Sequence, residues 1–161
     1  MAILQILKEG DETLRKHSRP VDEITPRILT LLDDMTETMR EANGCGLAGP
    51  QVGVLRRIVV CECEPGQVIE LINPVITSTS GEQCEVEGCL SLPGKNGIVK
   101  RPAKVTVEAL DRNGVKKRYR ADGLLARCFC HEIDHLDGML YPDKAERMLT
   151  KEELEELYGE D

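Results

Sequence analysis

Residues 128–138 read Cys-Phe-Cys-His-Glu-Ile-Asp-His-Leu-Asp-Gly, and the rest of the chain can be placed around them. At roughly 3.6 residues per helical turn, His131 and His135 fall on one face, where both imidazoles can reach one metal ion. Glu132 lies close enough to hold a water on that metal, which is a hydrolytic layout. Two imidazoles leave such a site short of a ligand, because a catalytic zinc-like centre takes a further protein ligand and keeps one position open for water or substrate. The remaining histidine, His17, lies in a polar stretch without ligand spacing. A cysteine or a carboxylate from elsewhere is therefore left as the third ligand.

Working outward, Asp122 reads as the N-cap of the helix. Leu124, Cys128, His131 and His135 lie along one face, with Leu125, Phe129 and Leu136 beside them, so the site faces inward. Upstream, residues 57–63, 68–76 and 104–110 are β-rich, and Asp111-Arg112-Asn113-Gly114 reads as a turn into a strand over 115–120. Pro74 is expected to break the second run, since proline cannot donate to a central ladder. Between these strands Glu87-Gly88-Cys89-Leu90-Ser91-Leu92-Pro93-Gly94 reads as a loop, and its Cys89 is a candidate third ligand.

Gly44-Cys45-Gly46-Leu47-Ala48-Gly49-Pro50-Gln51 fits neither a phosphate loop nor a dinucleotide fingerprint. It reads as a tight helix-to-strand connection whose small residues permit close backbone approach, and Gln51 brings an amide donor. Before it, Thr25 caps a helix with Pro26 at its first position and Ile28, Leu31, Leu32, Met35 and Met39 as its packing stripe, stopped by Asn43-Gly44. At the other end, Thr150-Lys151-Glu152-Glu153 is a capping box, with Leu149 and Leu154 as its hydrophobic staple. It opens a short acidic helix expected to fold back through Leu154 and Leu157.

The 161 residues suit one domain, 1–161, with a core of Leu, Ile, Val, Met and Cys, since there is one Phe and no Trp. A net charge of −8 argues against DNA or another polyanion as the main partner, and the scarcity of aromatics argues against base stacking. Seven cysteines without regular spacing or a leader read as thiols in a reducing cytoplasm. No apolar run approaches the roughly 18 residues of a membrane span.

Three stretches, GCGLAGPQ at 44–51, EGCLSLPG at 87–94 and HEIDHLDG at 131–138, occur in the order and spacing of the peptide deformylases, and together they resemble that family. The likeness extends to Val99-x-Arg101 and the Asp-Arg-Asn-Gly hairpin. Two positions depart: Gly49 replaces an alanine, which would loosen its loop, and Cys130 replaces a glutamine, which adds a thiol beside His131. The resemblance implies Cys89, His131 and His135 as metal ligands, Glu132 as general base and then acid, and Gln51 with the Leu90 backbone N–H as oxyanion donors. It implies one divalent ion, Fe(II) in the family, with Zn(II), Ni(II) or Co(II) in purified protein. It also implies nascent N-formylmethionyl polypeptides as substrate, with Gly46 bonding their backbone, and a methionine pocket of Cys45, Leu124 and Cys128 with Arg127 at its rim. Any ribosome contact would avoid the acidic C-terminal helix. The rivals are a zincin-like metallopeptidase and an inactive metal-binding homologue. The expected fold is α+β, with antiparallel strands around a central helix that carries the His-Glu-x-x-His site, and a short C-terminal helix.

Overall fold

The structure is a computed structural model that describes residues 2–158. Among these residues eight strands form two antiparallel sheets. The larger has the order β1 (Gly46–Ala48), β2 (Ile58–Cys61), β3 (Ile69–Ser80), β6 (Lys104–Leu110), β7 (Lys116–Asp122). The smaller has the order β4 (Gln83–Cys89), β5 (Leu92–Arg101), β8 (Ala145–Met148). Three α-helices accompany them: α1 (Pro26–Glu41), α2 (Gly123–Leu136) and α3 (Lys151–Tyr158). None is long and apolar enough to cross a membrane.

Strand alternation explains how the layers stack. Successive side chains of β2 point to opposite faces: Ile58 and Val60 join Leu32, Met35 and Met39 of α1, while Val59 and Cys61 join Phe129, Ile133 and Leu136 of α2. In β6 the inward set is Val105, Val107 and Ala109, also against α2. The central helix is thus held on the sheet by buried apolar side chains, each worth roughly 1.5–3 kcal/mol. The expected cap contributes less, because Asp122 stands at the N-cap position without a side-chain bond to the first turn. A third cluster, Leu14, Leu92, Val99, Leu140 and Tyr141, packs under the small sheet.

The caps of α1 and α3 match their sequence signatures. Thr25 accepts from the Ile28 N–H at 3.3 Å, Asn43 takes the left-handed conformation (φ 59°) that stops α1, and Thr150 and Glu153 bond reciprocally. Three expectations need correction. β3 runs through Asn73-Pro74 instead of ending there, because Asn73 adopts φ 54° and the ladder to β6 shifts register between Ile72 and Val75. A bulge thereby places the proline where no ladder bond is needed. Residues 87–94 are a hairpin, not a loop: β4 pairs with β5 from Gln83↔Arg101 to Cys89↔Leu92, and Leu90-Ser91 makes the turn. Finally, Leu157 is 52 % exposed, so α3 does not fold back through it. The Arg147–Glu153 pair ties α3 to β8 instead; Glu160 and Asp161 of the acidic end lie outside the described residues.

Candidate metal centre and active site

Two elements from different sheets meet at α2. The β4–β5 hairpin brings Cys89 to the helix, and the Cys89 Sγ and the nearest ring nitrogens of His131 and His135 all lie within 4.8 Å of one another. The Cys89 Sγ is 3.5 Å from His135 Nε2. His131 turns its other nitrogen, Nδ1, to Glu87 Oε1 at 2.9 Å, so the Nε2 edge faces Cys89. One thiol and two imidazoles converging on one point is the donor set of a borderline or soft divalent ion.

The charges around this point also suit a cation. Burial alone would push His131 down, but Glu132, Cys89 and Glu87 hold its pKa well above the ordinary imidazole value. His135, buried next to His131, is pushed well below it. The site therefore gathers acidic groups about one enclosed point and draws positive charge to it.

Glu132 is buried in β1's shadow, and burial raises its carboxyl to about 7 against the pull of His131. Its Oε1 has no hydrogen-bond partner among the described residues, and a carboxylate poised near neutrality is suited to taking and returning a proton. It fits there because residue 46 is glycine: a Cβ on Gly46 would stand 2.6 Å from Glu132 Oε2 and 2.7 Å from Cys128 Sγ. Gly49 is not a loosening element as expected. It is buried in a 3-10 turn, with the Val54 and Arg56 carbonyls 2.7 and 2.8 Å from where its Cβ would be.

Gln51, buried in the same turn, accepts from the Ala48 N–H at 3.0 Å. Its Nε2 is thereby aimed across at Ser91 Oγ (3.1 Å) and Cys89 Sγ (3.6 Å). Leu90 sits in the hairpin turn beside it. A cavity of about 430 Å³ opens over the site and is lined by Gly46, Cys45, Leu124, Cys128, Leu90 and Glu132 among others. Leu124 is 57 % exposed and belongs to its edge, not to the core. A larger groove of about 850 Å³ lies between residues 19–34 and 53–56, with no cysteine or histidine in its lining.

Arg127 lines the cavity, but its side chain is buried and its guanidinium bonds to Glu87 Oε2, the Val99 carbonyl and Gln83 Oε1. It belongs to a charge cluster that the sequence reading passed over. Glu87 receives Arg101 twice (2.8 and 2.9 Å) as well as Arg127 and His131, and Arg101 reaches on to Asp134 Oδ2 at 2.7 Å. Burial opposes the charge of Glu87, but Arg101 and His131 bring its carboxyl down to about 2. The Tyr141 ring stacks loosely against His131, 25° from parallel with centroids 6.0 Å apart. The available signal for this cluster was Glu87 two residues before Cys89 and Asp134 within the helical motif. Cys130 points into the core beside α2's other apolar residues, where burial raises its thiol.

Comparison with known proteins shows the family. The polypeptide deformylase family profile matches residues 3–151. The chain is 57 % identical over 155 residues to the peptide deformylase of Acetivibrio thermocellus, covering 96 % of this chain and 91 % of that protein. It is 54 % identical to that of Thermoanaerobacter pseudethanolicus, over 98 % of both. Among solved structures, a peptide deformylase from Legionella pneumophila superposes with a TM-score of 0.86 at 41 % identity, covering 96 % of this chain and 95 % of that one. One from Synechococcus elongatus, in complex with actinonin, gives 0.87 at 40 % identity, over 95 % and 84 %. With the family profile spanning nearly the whole sequence and relatives this similar end to end, the chain belongs to the polypeptide deformylase family.

Proposed function

We propose the following division of labour for the reaction that family membership establishes, the metal-dependent hydrolysis of the formyl group from the N-terminal N-formylmethionine of newly synthesised proteins. Cys89, His131 and His135 would hold one divalent ion, and Glu87 orients His131 through Nδ1. Such an ion would supply Lewis-acid chemistry there, lowering the pKa of a water and polarising the formyl oxygen. Fe(II) would be the ion of the working enzyme, although affinity order alone would favour Zn(II), Ni(II) or Co(II) during purification.

Glu132 accepts the proton of the attacking water and delivers it to the leaving amine, a shuttle favoured by its pKa of about 7. The Gln51 Nε2–H and the Leu90 N–H donate to the oxygen as negative charge builds on it. The edges of both sheets border the cavity: β1 is the outer strand of the large sheet and β4 of the small one. An extended peptide can lie between them by strand addition, with its backbone at Gly46 and its methionine side chain toward Cys45, Cys128 and Leu124. The chain acts as one catalytic domain, 1–161, in the cytoplasm, and any transient ribosome contact uses a surface other than α3, whose Glu152, Glu153, Glu155 and Glu156 would repel phosphate.

The observation that carries this reading is the buried Glu132 carboxyl beside a Cys-His-His ligand set. The test is metal content of anaerobically purified protein together with release of formate from formyl-Met-Ala. One metal per chain with formate release is expected. Cleavage of unformylated peptides would mark a zincin-like peptidase, and metal without turnover an inactive homologue.

A further inference from the structure

Among the described residues a second group of ligand atoms gathers beside the first. The sulfurs of Cys45, Cys63 and Cys128 lie within 4.8 Å of one another; Cys45 and Cys128 are 4.0 Å apart, and the Cys61 Sγ is 3.2 Å behind that of Cys128. Three elements supply them: Cys45 precedes β1, Cys61 and Cys63 share one face of β2 and its extension, and Cys128 projects from α2. Packing alone would be served by apolar side chains at these positions, yet thiols occupy every one. All seven cysteines are free thiols.

We propose that Cys45, Cys63 and Cys128 form a second cation site, for a thiophilic closed-shell ion of the Zn(II) class, with Cys61 packed behind Cys128 outside the ligand triangle. Three sulfurs spaced about 4 Å apart keep a central point about 2.3 Å from each, which is the zinc–sulfur bond length. The edges of this triangle need only small side-chain rotations to reach that spacing. On binding, each participating thiol releases its proton to solvent and forms one metal–sulfur bond, and no atom changes oxidation state. The ion enters from the cavity, since Cys45 and Cys128 line it while Cys61 is fully buried. Glu132 Oε2 and Cys128 Sγ flank the same point above Gly46, so the carboxylate adds attraction for a cation. Resting on the substrate pocket assigned above, a filled site would occupy the floor on which the methionine side chain is seated and would oppose substrate binding.

Nickel-loaded protein, kept anaerobic with a phosphine reductant, is titrated with Cd(II), whose sulfur-to-metal charge transfer is visible in the ultraviolet, and bound cadmium and nickel are counted per chain. One cadmium with nickel retained is expected. Cys63→Ser should weaken cadmium binding by at least about 10-fold, and Cys45→Ala, on the other side of the cluster, should do the same. Cys84→Ser, at an exposed position of β4, should leave it unchanged. Cadmium should also raise the KM for formyl-Met-Ala in the parent protein and not in Cys63→Ser. Equal cadmium binding by the parent and both cluster variants, or uptake only as nickel leaves, overturns the site. Cadmium bound as expected with an unmoved KM would keep the cation site and overturn the pocket assignment.

Discussion

Replacing Glu87 by glutamine tests whether the buried charge cluster both holds the fold and aims His131. The carboxylate accepts from Arg101 Nε at 2.8 Å, Arg101 Nη2 at 2.9 Å, Arg127 Nη1 and His131 Nδ1 at 2.9 Å, and its side chain is 4 % exposed. A glutamine keeps the shape but supplies one acceptor oxygen. Its amide hydrogens must face one of the donors, and two buried guanidinium groups lose their counter-charge, leaving Asp134 to serve Arg101. Breaking a buried pair from one side costs about 3–5 kcal/mol. Loss of the carboxylate behind a metal-binding imidazole weakens the metal by about 10–100-fold. Urea unfolding of the metal-free form reads the first effect, and competition with a chelator on the folded protein reads the second. Glu87→Gln with an unchanged unfolding midpoint and unchanged metal affinity would refute the reasoning, since both roles rest on the same four bonds.

Other expectations follow from neighbouring features. Glu132→Gln should keep its metal while kcat falls by at least about 100-fold, measured as formate release; near-normal turnover would remove Glu132 from the proton path. Gly46→Ala should crowd Glu132 and Cys128, lowering kcat without loss of the far-UV circular dichroism spectrum, and full activity would show that both side chains can yield. Glu87, held at about 2 against an ordinary 4.5, favours the fold fully above pH 4.5. That contribution, about 3 kcal/mol, should fade as pH falls from 4.5 toward 2, and chemical denaturation at a pH series would show it; a flat acid limb speaks against it. Deleting residues 150–161 should leave ribosome co-sedimentation at low salt unchanged with a small loss of thermal stability, and a lost ribosome contact would reassign α3.

The central helix and its inward face were legible because a His-x-x-x-His spacing and an apolar stripe share the same period. The glycines at 44 and 46 were readable as close-approach positions, though only the structure shows that the space at Gly46 is taken by Glu132. The small sheet was missed for a physical reason. Pro93 and the glycines of residues 87–94 signal a loop, but the turn itself falls on Leu90-Ser91, where no glycine, proline or asparagine marks it and only the serine has a turn preference, and pairing from Gln83 to Arg101 fixes it instead. Arg101 and Arg127 were hidden by the ordinary rule that arginines face water; only the convergence of Glu87 and Asp134 from separate elements makes their burial affordable. The thiol cluster was equally invisible, because its members are drawn from separate parts of the chain.

The ligand set also has a mechanical side. Cys89 hangs on the small sheet and His135 on the helix of the large one, 46 residues along the chain. An ion gripped by both is a crosslink that closes that span, and pinning such a loop removes about 4 kcal/mol of chain entropy from the unfolded ensemble. The catalytic ion would therefore act as a rivet between two halves of the protein, and stripping it should let the β4–β5 hairpin exchange its amide hydrogens faster while the ladder between β3 and β6 keeps its protection.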